Sequence, residues 1–181
     1  MNPTNSLRTD SPQPPVLLAY DGSHGAAQAI DEAGRLFSGR RAVVVTTWRP
    51  LSSILPAPLC EPHEEVDDAG VRHAQRIAED GARRARDAGL DATGRAAQAP
   101  HGDWQGIVEA ALEVGAEAIV VGSRGATPAR TERFGRTAEG ILLASGCPVV
   151  VVPTDPPGPE PPGPGQASER LRAPAATASE R

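Results

Sequence analysis

The chain has 181 residues, a formal net charge of −5, 39% hydrophobic residues and 3% aromatic residues. That acidic balance leaves no basic stripe for a phosphate backbone and argues against a nucleic-acid surface. No apolar run reaches the roughly 18 residues needed to cross a bilayer, which argues against a membrane partner. All 18 basic residues are arginine, so a Walker A lysine, a Schiff-base lysine and a lysine general base are excluded together.

Residues 1–15 are polar and proline-bearing and are expected to be disordered. They carry no basic-then-apolar leader pattern. With two cysteines in the chain, the expected setting is a reduced cytoplasm. Val16 to Tyr20 is an apolar run and reads as the first strand. Asp21-Gly-Ser23 turns into a helix with Ser23 as its N-cap, and Ala26, Ala27, Ile30, Ala33, Leu36 and Phe37 recur at helical spacing until Gly39. Arg41 to Trp48 reads as a second strand, and Arg49 to Glu61, with three prolines, as a long loop. Asp67 to Ala88 has a small apolar stripe under an arginine-rich face, a helix closed by Gly89. Ala92 to Ala99 predicts a weak edge strand, and Asp103 is expected to cap a helix through Val114. Ala116 to Val121, Arg136 to Ser145 and Pro148 to Val152 come next as strand, helix and strand. Strands alternating with helices at this spacing specify an α/β fold, a doubly wound parallel sheet covered by helices on both faces. From Pro153 onward the chain is dense in proline and glycine. Residues 155–181 are expected to form a disordered tail beyond a domain spanning 16–154.

The chemistry concentrates in Ala118-Ile-Val-Val-Gly-Ser-Arg-Gly125 and the segment up to Thr137. A buried strand ends in a glycine-bearing turn, nine residues separate Gly125 from Gly135, and a helix then begins. The turn leaves the C-terminal end of a strand, where open α/β sheets bind ligands. Glycines there let backbone N–H groups approach an anion. The residues thus point to a nucleotide or phosphate site, although a plain strand-to-loop turn also favours glycine.

Gly122, Gly125 and Gly135 at this spacing, together with Cys147-Pro-Val-Val-Val-Val152 and the Val16-Leu-Leu-Ala-Tyr-Asp-Gly-Ser23 strand exit, resemble the ATP-binding branch of the universal stress protein family. The resemblance covers about residues 15–154 and departs at one place, where Arg136 stands in the usual position of Ser or Thr and Thr137 comes one place late. It implies five strands in the order 3-2-1-4-5, the adenine nucleotide alpha hydrolase-like fold, with Asp21 and Gly122 facing each other across one crevice. It implies ATP, with or without Mg²⁺, and a contact set of Ala19, Tyr20, Asp21, Thr46, Val121, Gly122, Arg124, Gly125, Gly135, Arg136 and Thr137. In this set Asp21 accepts from ribose or the adenine amino group, unless it only bonds its own turn. The backbone of Thr46 meets adenine. The phosphates lie on the Gly122–Gly125 turn and on the helix start at Gly135–Thr137.

Arg136 cuts two ways. It removes a hydroxyl that could bond phosphate, and it adds a guanidinium that could grip one. Arg124, Arg130 and Arg133 share its loop, and with no lysine these arginines, with or without Mg²⁺, have to supply the positive charge. Glu61-Pro-His-Glu-Glu-Val-Asp-Asp68 with His73 lacks paired ligand spacing and reads as acidic residues at a helix start, so no metal site is expected. His24 and His101 stand at strand-to-helix turns, and His24 is within reach of a ligand there. No Ser-His-Asp arrangement is recognisable, and no catalytic residue is assigned. Cys147 reads as buried packing and Cys60 as a loop thiol.

Three functions compete: an ATP-binding stress-response module that signals through its bound state to an unknown partner, a non-nucleotide-binding dimeric scaffold of the same family, and a slow ATPase. The resemblance further implies a homodimer through Pro148–Val152, an edge strand that needs covering.

Overall fold

The computed structural model describes residues 13–54, 64–125 and 134–154. The two terminal tails, most of the proline-rich loop with Cys60, the Glu61–His63 stretch, and Arg130 and Arg133 lie outside the described residues.

The elements run β1 (Val16–Ala19), α1 (His24–Leu36), β2 (Arg41–Trp48), a short 3-10 turn (Leu51–Ser53), α2 (Glu64–Asp87), β3 (Asp91–Gln98), α3 (Asp103–Val114), β4 (Ala118–Gly122), α4 (Arg136–Ala144) and β5 (Val149–Val152). All pairings are parallel, in the order β3-β2-β1-β4-β5. That is the doubly wound sheet the alternation called for, with β1 at its centre and β3 and β5 at its edges.

Local chemistry sets the boundaries. Ser23 caps α1 as expected, its Oγ accepting from the Ala26 N–H at 3.2 Å. The other end of α1 differs from expectation. Phe37 is the C-cap, its N–H bonding the Ala33 carbonyl at 2.8 Å, and Gly39 instead makes the next turn, donating to the Gly89 carbonyl at 2.8 Å. Asp103 is not a cap either. It is the first residue of α3, after Gly102 at φ 143°, and its carboxylate accepts from Thr47 rather than from its own helix. The remaining offsets are one to three residues at element ends, as at Ala118, at Ala144 and at the start of α2, which is Glu64 rather than Asp67.

Strand alternation divides the core between two faces. Val16 and Leu18 pack with Ile30, Ala33, Ala82 and Ala85 beneath α1 and α2. Leu17 and Ala19 pack with Ile107, Ala111, Ala138 and Ile141 beneath α3 and α4. The α2 stripe is nearly all alanine, so the helix must lie close to the sheet to bury much area. Gly94 of β3 permits this, since a Cβ there would sit 2.6 Å from the Ala78 backbone. Arg84 of α2 then reaches α1, donating from Nε to Asp31 at 2.8 Å and to the Ala27 carbonyl at 3.2 Å. Before β1, the Pro15 carbonyl accepts from Glu117 N–H at 3.0 Å, which ties the start of β1 to the start of β4.

Candidate functional site

The strands on either side of β1 are reached by connections over opposite faces of the sheet, and a crevice opens where they part. The crevice holds a cavity of about 300 Å³ at the C-terminal ends of β1, β2 and β4. Ala19, Tyr20, Asp21, Thr46, Val121, Gly122, Arg124, Gly125, Gly135 and Thr137 all line it. Residues from four separate stretches of sequence therefore converge as expected. Arg136 does not line the cavity. It is the exposed first residue of α4. His24 is exposed and outside the lining as well.

The strand ends are fixed by hydrogen bonds that leave the crevice open. Tyr20 N–H donates to the Val45 carbonyl at 2.9 Å, and Thr46 Oγ1 donates to the Tyr20 carbonyl at 2.8 Å. The Thr46 hydroxyl thus buttresses β1 and leaves only the residue's backbone for a base. Asp21 bonds its own turn and also lines the crevice. Its Oδ1 accepts from Ser23 N–H at 2.9 Å, forming the turn into α1. Its Oδ2 faces the glycine turn so closely that a Cβ on Gly125 would lie 2.8 Å away.

The turn after β4 is anchored on both sides. Ser123 N–H donates to the Val152 carbonyl at 2.7 Å, and Gly135 N–H donates to the Ser123 carbonyl at 2.8 Å. Because the Gly135 N–H is engaged, the donors offered at the helix start are those of the residues after it. Ser123 Oγ also lies 3.1 Å from Thr154 Oγ1 and accepts from Thr154 N–H at 3.1 Å. Gly122 serves packing as much as ligand approach. A Cβ there would lie 3.0 Å from Thr154 Cγ2 and 3.1 Å from the Gly25 carbonyl oxygen.

Sequence reasoning missed several residues of the lining, among them Thr47, Ile77, Asp103 and Ile107. Thr47 and Asp103 are joined by a 3.1 Å hydrogen bond, and Arg49 Nε stands 3.9 Å from the same Asp103 oxygen. Gly25 was also missed. A Cβ on it would come within 2.7 Å of the Arg124 carbonyl, so the turn rests on the first turn of α1. A glycine inside the first turn of a helix costs helix stability and was the available signal. The charged side chains in the described lining are two carboxylates, Asp21 and Asp103, and one guanidinium, Arg124.

Elsewhere, Cys147 is half-buried against the α3–α4 face, where its carbonyl accepts from Ser145 Oγ at 2.9 Å, in keeping with a packing role. Among the described residues no group of three or more His, Cys, Asp or Glu could hold a metal ion, and no helix is long and apolar enough to cross a membrane.

The sequence pattern of the universal stress protein family matches residues 14–153. The chain belongs to the universal stress protein family. It is similar to a universal stress protein of Thermus aquaticus, 30% identical over 141 residues that cover 76% of this chain and 96% of the relative. Among solved structures it resembles the universal stress protein of Archaeoglobus fulgidus, with TM-score 0.58, 25% identity, and coverage of 76% of this chain and 97% of that one. It also shares its fold with a universal stress protein crystallised in complex with cAMP, with TM-score 0.57, 24% identity, and coverage of 80% and 100%. The fold is the adenine nucleotide alpha hydrolase-like one that the resemblance implied.

Proposed function

We propose that this universal stress protein is a stress-response regulatory module that binds an adenine nucleotide, ATP in the leading case, in the crevice between β1 and β4 and signals through its occupied state. The observation that carries this reading is the convergence of Asp21, the Thr46 backbone and the Gly122–Gly125 turn around one cavity at the topological switch point. Asp21 takes the ribose hydroxyls as an acceptor. The backbone of the glycine turn and the N-terminal N–H groups of α4 receive the phosphates. The described lining offers one guanidinium against two carboxylates, so a triphosphate is best accepted with Mg²⁺ carried on its own oxygens. The cAMP complex of a protein with this fold supports an adenine nucleotide as the ligand class.

The assembly we propose is a homodimer through β5. The Pro148 and Val152 carbonyls accept from Ile119 of β4 and from Ser123 just beyond it. By the alternation of a parallel ladder, Val149 and Val151 then direct their backbone groups to the open edge. Leu143 of the adjoining α4 is 83% exposed, apolar surface that a second copy would cover. A reduced, cytoplasmic setting fits the sparse cysteine usage. The test is to denature the purified full-length protein and identify any released nucleotide by mass, followed by calorimetric titration with ATP. An adenine nucleotide released or bound supports the reading. Protein that releases none and binds none favours the non-nucleotide scaffold instead.

A further inference from the structure

We infer that Asp103 selects the base of the nucleotide, accepting a hydrogen bond from the amino group at the 6-position of a purine. The inference rests on the adenine-nucleotide reading of the cavity and adds a specificity-determining residue to it. The glycine turn comes after β4, whereas Thr47 and Asp103 stand at the ends of β2 and of the β3–α3 connection. Strand β1 lies between them, which separates the two sides by about 10 Å at the usual strand spacing. A nucleotide with its phosphates on the turn therefore lays its base on the Asp103 side.

The walls there suit a flat ring. Ile77 comes from α2, and Ile107 comes from α3, one helical turn after Asp103 and on the same face. The polar side chains that line this side of the cavity, Thr46, Thr47 and Asp103, present acceptors to it. The Thr46 hydroxyl donates to the Tyr20 carbonyl and the Thr47 hydroxyl to Asp103 Oδ1, so both hydroxyl protons are engaged. Arg49 approaches the same Oδ1 at 3.9 Å. Asp103 Oδ2 has no hydrogen-bond partner among the described residues, and the side chain is 48% exposed while lining the cavity. A carboxylate accepts and does not donate. It rewards an amino group at the ring edge and opposes a carbonyl, whose lone pairs would face its own.

The experiment is calorimetric titration of the full-length protein with AMP, IMP and GMP. IMP differs from AMP by a carbonyl in place of the 6-amino group and by an N1–H in place of the N1 acceptor, so a carboxylate aimed at the 6-position meets a donor in AMP and an acceptor in IMP. The wild type should bind AMP at least about tenfold more tightly than IMP or GMP, the weight of one charge-assisted hydrogen bond. Asp103→Asn keeps an acceptor for Thr47 but can turn an amide donor toward a carbonyl, so the AMP-to-IMP ratio should fall to within about threefold. Thr47→Val frees the carboxylate without altering its charge, and it should move the ratio in the same direction. A ratio unchanged in either variant overturns the inference while leaving the adenine reading in place, as does a wild type that takes IMP or GMP as readily as AMP. A wild type that binds none of the three overturns the inference, and the adenine reading falls with it when ATP fails to bind as well.

Discussion

Replacing Gly125 with alanine should weaken nucleotide binding and leave the fold nearly untouched. Gly125 is not among the glycines with positive φ, so its backbone accepts an L residue without strain. The new Cβ would, however, meet Asp21 Oδ2 at 2.8 Å, well inside contact distance, and the carboxylate has to swing away. What the ligand loses is a hydrogen bond to a charged acceptor, about 1.5–3 kcal/mol, or about 10- to 150-fold in affinity. What the protein loses includes the exposed Asp21–Ser23 turn bond, below about 1 kcal/mol. At this domain size that is a shift of about 2–4 °C in Tm. Calorimetric titration with ATP, paired with a thermal melt, reads both quantities. Gly122→Val is the contrasting control, because its side chain meets the Gly25 backbone and Thr154 before it meets any ligand. It should lower stability by about 1–3 kcal/mol as well as binding. Unchanged ATP affinity in Gly125→Ala with an unchanged melt would refute the placement of Asp21 on the ligand.

Gly94→Ala should destabilise the domain by about 1–3 kcal/mol, because the Cβ would strike the Ala78 backbone rather than a side chain that can turn aside; urea titration measures it. Val151→Pro removes an outward N–H while sparing the bonds to β4, so it should shift the protein toward monomer in light scattering across a dilution series. A dimer indifferent to it would place the contact elsewhere. Arg136→Ser should weaken ATP by less than about tenfold and only at low salt, since an exposed guanidinium outside the lining acts through a screened field. A tenfold tighter variant would mean that the arginine obstructs the site.

The sheet was legible because its signals are periodic and strong. Val16–Ala19 and Ala118–Gly122 are fully buried four- and five-residue runs, and short apolar runs between glycine-rich turns have few other readings. The crevice was legible where a close approach leaves no room for a Cβ, as at Gly122 against Thr154 and Gly125 against Asp21. It was illegible where function depends on a neighbour far along the chain. Asp103 in Gly102-Asp-Trp104 has the local pattern of a helix cap, and only the pairing of β2 with β3 brings Thr47 close enough to take its carboxylate. Ile77 belongs to an amphipathic helix whose apolar stripe gives no hint that part of it leaves the core for the crevice. Gly39 misled for a related reason, since a glycine after a helix suits both a cap and a later turn, and the bond to Gly89 decides between them.

The two hydrogen bonds between Ser123 and Thr154 give the molecule a short mechanical linkage. Thr154 lies two residues past the end of the edge strand β5. A ligand that steadies the turn also steadies Thr154 and the end of that edge. Two neutral hydrogen bonds can transmit about 1–3 kcal/mol between them, the range in which coupled sites alter each other's affinity about 5- to 150-fold. Linkage is reciprocal, so whatever grips the edge would be felt in the crevice by the same factor. Ser123→Ala would cut that transmission at the cost of one hydroxyl in the cavity lining, making this side chain a place where sensing and output can be uncoupled while the backbone of the turn stays in place.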